Sequence, residues 1–181
     1  LGAPDNPAMI DLTLAPELRL QGRLPTFNNQ KKMLVMRPVS AKPKDAVTAW
    51  LRHLAACAAG FDPTTHTVFA DKKSARCDAY APLEKQTALE TLKRLADHFA
   101  DGTRQPVCFD PAIGHMIAQG KETRITEDDW SGDGRHNSGV DIYTRHAFGD
   151  TLPEPESAAW QTMRQMALAL FGRLPTGKGD R

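Results

Sequence analysis

Two neighbouring stretches, Leu18 to Pro25 and Met33 to Arg37, constrain this chain most, because together they demand a sheet. Leu18, Leu20 and Gly22 alternate with Arg19, Gln21 and Arg23, the pattern of a half-buried strand. Met33 to Met36 is continuously apolar, which suits a strand covered on both faces, and Pro38 ends it. Thr26 to Lys31, rich in Asn and Gln, reads as the turn between them, so the two strands are expected to form a hairpin. Upstream, Ile10 to Leu14 also alternates before Pro16 interrupts, and Gly22 is expected to mark a bulge.

Helices follow. Pro43 fits a first helical turn and Gly60 a C-terminal stop, with Val47, Trp50, Leu51, Leu54 and Ala58 on one apolar stripe between them. His66 to Ala70 reads as another strand, with Asp71 to Ser74 as the turn behind it. A second helix, from about Leu83 to Ala100, places Leu89, Leu92, Leu95, Ala96 and Phe99 together and stops at Gly102. Pro106 to Phe109 predicts a short buried strand feeding a brief helix from Ala112 to Gln119. The last helix begins near Pro155 and buries Trp160, Met163, Ala167, Leu170 and Phe171. The organisation expected is one domain over 1–174, an irregular insertion at 120–153 and a flexible tail at 175–181.

Composition excludes several functional classes. A chain of 181 residues buries about 70% of its unfolded surface, enough for a real core. No apolar run approaches the roughly 18 residues of a membrane span, so no membrane partner is expected. Cys57, Cys77 and Cys108 are too scattered for a disulfide framework or a zinc knuckle, which favours a reducing, cytoplasmic setting. Leu1 to Pro7 has neither the basic start nor the apolar centre of a secretion signal, and the chain is expected to be part of a longer one. Net charge is +1, yet residues 1–53 carry eight basic and four acidic side chains, leaving the remainder net negative. Arg19, Arg23, Lys31, Lys32 and Arg37 are therefore candidate phosphate contacts, though solvated strand edges that discourage aggregation use the same residues.

The strand region has the outline of a two-carboxylate nuclease of the PD-(D/E)xK type without its acids. Such an enzyme places one carboxylate at the end of the first strand and a second, two residues before a lysine, in the next, and together they hold Mg²⁺. Here Pro25 stands at the first position, Val35 at the second and Arg37 at the lysine. Neither Pro25 nor Val35 can ligate a metal, so no catalytic residue, metal or cofactor is expected. The helix text Trp50-Leu51-Arg52-His53-Leu54-Ala55-Ala56-Cys57-Ala58-Ala59-Gly60 follows Trp-Leu-x-His-Leu-x-x-Cys-x-x-Gly. With the preceding strands, the Leu92 to Pro106 segment and the final helix, it resembles the C-terminal region of the gamma subunit of exodeoxyribonuclease V, the RecC family, over about Leu18 to Leu174.

That resemblance implies an α/β, nuclease-like mixed sheet flanked by helices that has lost its chemistry. It implies work inside a helicase-nuclease complex with a RecB-like beta subunit and a RecD-like alpha subunit, supporting DNA-end processing through subunit docking and DNA guidance. The residues leave two alternatives open. One is an active exonuclease whose ligands have moved to Asp11, Glu17 or Asp45; the other is a purely protein-docking scaffold using Trp130, Ile142 and Tyr143. Weaker signals are discounted. Asp129 to Gly134 imitates a calcium loop but has Val140 where the closing acid belongs. His136, Asp141 and His146 match no zinc spacing, Gly177-Lys178 lacks the rest of a phosphate loop, and Cys57 reads as a packed hydrophobe.

Overall fold

The computed structural model describes residues 7–24, 32–38, 42–70, 75–132 and 139–171. They fall into two compact units, one drawn from the chain up to Ala96 and the other from Asp97 to Arg173.

The first unit is α/β. β1 (Met9–Ala15) and β2 (Leu18–Arg23) form an antiparallel pair, and β3 (Lys32–Arg37), β4 (Thr64–Ala70) and β5 (Ala75–Tyr80) form a mixed sheet in that order. β3 runs parallel to β4, joined by the crossover helix α1 (Pro43–Ala58), and β5 returns antiparallel to β4. The expected hairpin between the Leu18 and Met33 strands is therefore corrected: β2 pairs with β1, and β3 with β4. Only Pro16 and Glu17 separate β1 from β2, so closing that pair orders far less chain than closing residues 24–31. Gly22 sits squarely opposite Ile10 without a bulge, and the register shift lies instead between Thr13 and Ala15.

α1 packs against both sheets. Trp50, Leu54, Cys57 and Ala58 join Leu14, Val35 and Tyr80, together with Ala88 and Leu92 of α2 (Lys85–Gly102), while Ala55 and Ala56 meet Ile10 and Leu24. Alanine on that second side allows the strand pair to approach the helix closely. Leu51, expected on the buried stripe, is exposed, as is Phe99, beyond the last turn of α2 that meets this core. Sequence reading missed β5, because its small residues Ala75, Cys77 and Ala79 point outward while Asp78 pairs with inward-facing Thr67, an inverted pattern.

The second unit packs α3 (Pro111–Ala118) on α6 (Ala158–Phe171), with α4 (Glu127–Ser131) and α5 (Ile142–Phe148) beside them. Ile113, Ile117, Trp130, Val140, Trp160, Met163 and Ala167 form its core, and all five apolar residues expected to be buried in α6 are buried. Pro106 to Phe109 is not a strand; it is an irregular lead into α3, whose N-terminus Asp110 caps through Oδ1 to the amides of Ala112 and Ile113. Among its described residues the 120–153 stretch holds more regular structure than expected, namely a 3-10 turn at Glu122–Arg124 and the two short helices. They are folded around Trp130, whose indole N–H donates to the Gly149 carbonyl at 2.9 Å.

Candidate functional site

Val35 points into the α1 core with its side chain nine-tenths buried, so at the position of the would-be second ligand there is packing rather than an open cleft. Two residues along β3, Arg37 turns its guanidinium onto the carboxylate of Asp45 in the first turn of α1. Asp45 also accepts from the backbone N–H of Lys42 at 3.0 Å, closing the helix N-terminus. Burial opposes ionisation of this buried acid, but the Lys42 amide and the Arg37 guanidinium outweigh it and hold the carboxyl below its ordinary range.

The other acids weighed as relocated ligands have separate positions. Asp11, on the outward face of β1, accepts from Arg19 Nε at 3.2 Å and from Gln21 Nε2 at 3.0 Å. The Arg19 and Gln21 side-chain bonds lower its pKa. Glu17 lies exposed in the β1–β2 turn. Among the described residues no group of three or more His, Cys, Asp or Glu is arranged to hold a metal.

The basic candidates divide between the sheets. Arg19 and Arg23 belong to β2, Lys32 and Arg37 to β3, and Arg19 and Arg37 each hold an acid of their own. Lys31 and Pro25 lie outside the described residues, as does His136.

A buried polar cluster lies under the same sheet. His53 Nδ1 is 2.9 Å from Thr65 Oγ1, and its Nε2 is 3.6 Å from Cys57 Sγ, with the Trp50 and Tyr80 rings stacked and tilted around it. Burial pushes His53 down to about 4 and raises the Cys57 thiol, so at neutral pH both are uncharged. A Cys–His couple of this kind is a packed neutral pair, not an activated nucleophile. Cys108, in the second unit, is pushed up to about 11 by burial alone.

Of the three docking candidates, Trp130 is fully buried and is corrected to a core residue, whereas Ile142 and Tyr143 of α5 are exposed. Asp129 caps α4 through the Thr126 amide, and Asp141 caps α5 through the amides of Tyr143 and Thr144, so each acid serves a helix end.

One surface escaped sequence reasoning. On the face of the three-stranded sheet turned away from α1, Leu34 stands opposite His66 and Ala79, and Met36 opposite Val68 and Cys77. Leu34 is 45% exposed and Met36 66%, with Cys77 and Ala79 exposed beside them. The apolar run of β3 was expected to be covered on both faces; its inner face, Met33 and Val35, is buried and its outer face is not.

These features define an α/β unit with a mixed sheet flanked by helices, in which Asp11 and Asp45 are each engaged by an arginine of the chain. The RecC C-terminal domain family matches residues 1–122, and the chain belongs to that family, hence to the RecC type of subunit of the RecBCD complex, exodeoxyribonuclease V. The match takes in the strands, α1, α2 and α3, while the final helix lies beyond it. No curated protein matches the chain significantly. No helix among the described residues is long and apolar enough to cross a membrane.

Proposed function

We propose that this chain is a nuclease-like domain that has lost catalysis and that serves DNA-end processing, in double-strand break repair and recombination, as a scaffold. Its partners in this reading are DNA, a RecB-like beta subunit and a RecD-like alpha subunit, and its setting is the cytoplasm. The observation that carries the reading is the Arg37–Asp45 pair. The residue standing where a catalytic lysine would be is bound to the acid nearest to it downstream, and that acid in turn closes a helix. Val35 in the core adds to it, as does family membership. Because β2 and β3 do not pair, the nuclease likeness rests on residue types, the mixed sheet and the family rather than on a shared hairpin.

Incubating the purified subunit with Mg²⁺ or Mn²⁺ and linear DNA should give no degradation above a mock preparation. Cleavage that disappears on mutating Asp11, Glu17 or Asp45 would overturn the proposal in favour of a working nuclease. DNA guidance has its own check: charge reversal at Arg23 and Lys32, with Lys31, should weaken binding to all sequences alike and flatten its salt dependence by about one unit of slope per lost phosphate contact. An unchanged slope leaves the docking role alone, a reading that the exposed apolar face of β3–β5 favours.

A further inference from the structure

The outward face of the β1–β2 pair carries a guanidinium fork already closed on an anion, and the anion is the chain's own. Met9, Asp11 and Thr13 of β1 stand opposite Arg23, Gln21 and Arg19 of β2, while Ile10, Leu14 and Leu20 pack into the core on the other side. Arg19 reaches diagonally to Asp11, donating from Nε at 3.2 Å to one carboxylate oxygen and from Nη2 to the other. Gln21, directly opposite Asp11, donates from Nε2 at 3.0 Å. Two parallel N–H groups and a side-chain amide converging on one oxyanion take a phosphate as readily as a carboxylate. The Arg19 side chain is 59% exposed and that of Asp11 49%. An ion pair in that setting gains little over water and is screened by salt, so a second anion can take the carboxylate's place.

Spacing and charge say which anion. β2 rises about 3.3 Å per residue and one strand of B-DNA about 3.4 Å per nucleotide, so Arg19, Gln21 and exposed Arg23 keep step with every second nucleotide of a backbone laid along them. Against the two arginines this face sets one carboxylate, Asp11. We propose that Asp11 holds the place of a nucleic-acid phosphate: the row of Arg19, Gln21 and Arg23 binds a DNA phosphodiester backbone without regard to its bases, and Arg19 leaves Asp11 to do so. The competition keeps the contact weak and readily reversed, which suits a surface along which a backbone is guided. The inference rests on the DNA half of the proposed function and adds to it the face, the competing acid and the direction in which removing that acid acts.

Binding of the purified subunit to a fluorescein-labelled linear duplex, and to a single strand of the same length, is measured by anisotropy across a salt series without divalent cations. Asp11→Asn removes the competing charge at an exposed position and should tighten binding to one or both probes by about threefold at low salt, the gain fading as salt rises. The probe that responds names the form of the backbone. Arg19→Gln should weaken binding and flatten the salt dependence by about one unit of slope. Added to Arg19→Gln, Asp11→Asn should gain little, because the carboxylate then has no guanidinium to withhold. Equal melting midpoints for parent and variants keep the comparison free of unfolding. Unchanged or weaker binding by Asp11→Asn, or the same gain with and without Arg19, would overturn the inference; DNA guidance would still stand if charge reversal at Arg23 and Lys32 flattens the slope. Binding that none of these substitutions moves would remove both the inference and the DNA half of the proposed function.

Discussion

The two sheets of the first unit treat water in opposite ways. On the β1–β2 pair the outward positions are Asp11, Thr13, Arg19, Gln21 and Arg23 with one apolar residue, Met9, and Asp11 gathers Arg19 and Gln21 into a small hydrogen-bonded group. On the three-stranded sheet Leu34, Met36, Val68, Cys77 and Ala79 face outward alongside Lys32, Thr64 and His66, while Thr65, Thr67 and His53 lie inside. A sheet finished for solvent keeps its apolar residues on one side. The second sheet does not, and beneath it His53 and Thr65 are paired with each other. The first sheet turns a mostly polar face to water; the second turns Leu34 and Met36 there.

The contrast breaks most visibly if an acid is put back. Val35→Asp places a carboxylate in the apolar cluster of Leu14, Trp50 and Leu54 and should cost about 3 kcal/mol or more in urea or thermal unfolding. Thr13→Asp, on the outward face of β1 opposite Arg19, should stay within about 0.5 kcal/mol. If Val35→Asp were tolerated and the variant bound Mn²⁺, the position would be an open ligand site and the reading of the second sheet as packed would fall.

His53 sharpens the comparison through pH. Burial depresses its pKa from 6.5 to about 4, so between those values the unfolded chain binds the extra proton and the folded one does not. The stability His53 contributes is thus present in full above about pH 6.5 and is lost as pH falls towards 4, by about 3 kcal/mol at most. Urea unfolding at pH 7 and pH 4.5 should show a larger drop for the parent than for His53→Gln. An identical drop in both would mean that this imidazole charges freely in the fold.

Much of this was legible in the sequence, for reasons that differ by element. The period of the α1 and α6 stripes survives folding because a helix needs only its own residues to declare a buried face, and Trp50, Leu54, Met163 and Ala167 are buried accordingly. Strand pairing is not local. The apolar run of β3 announced a strand but could not name its neighbour, and β4, far along the chain and reached through α1, took the place given to β2. β5 was hidden because the side with small residues faces out. At the candidate site, the absence of acids at Pro25 and Val35 could be read directly, whereas the Arg37–Asp45 contact depends on how α1 leaves β3. Trp130 misled as a surface anchor because aromatic residues suit an interface and a core equally well, and only the Gly149 carbonyl that receives its N–H distinguishes them.

The smallest effect comes from making one substitution in both settings. Asp45→Asn keeps a side-chain acceptor for the Lys42 amide but removes the charge that Arg37 faces, and should cost about 1 kcal/mol at pH 7. Since the Asp45 carboxyl titrates below its ordinary range, that contribution is present at neutral pH and disappears as pH falls through the lowered value. Parent and variant should therefore converge in strongly acidic solution. Asp11→Asn, on the solvated face, should leave the unfolding midpoint where it was, because an exposed pair held by long side chains gains little over water. Equal losses at the two positions would mean that burial does not set these ion pairs apart, and Arg37 would then be as free as Arg19 to leave its acid for a phosphate.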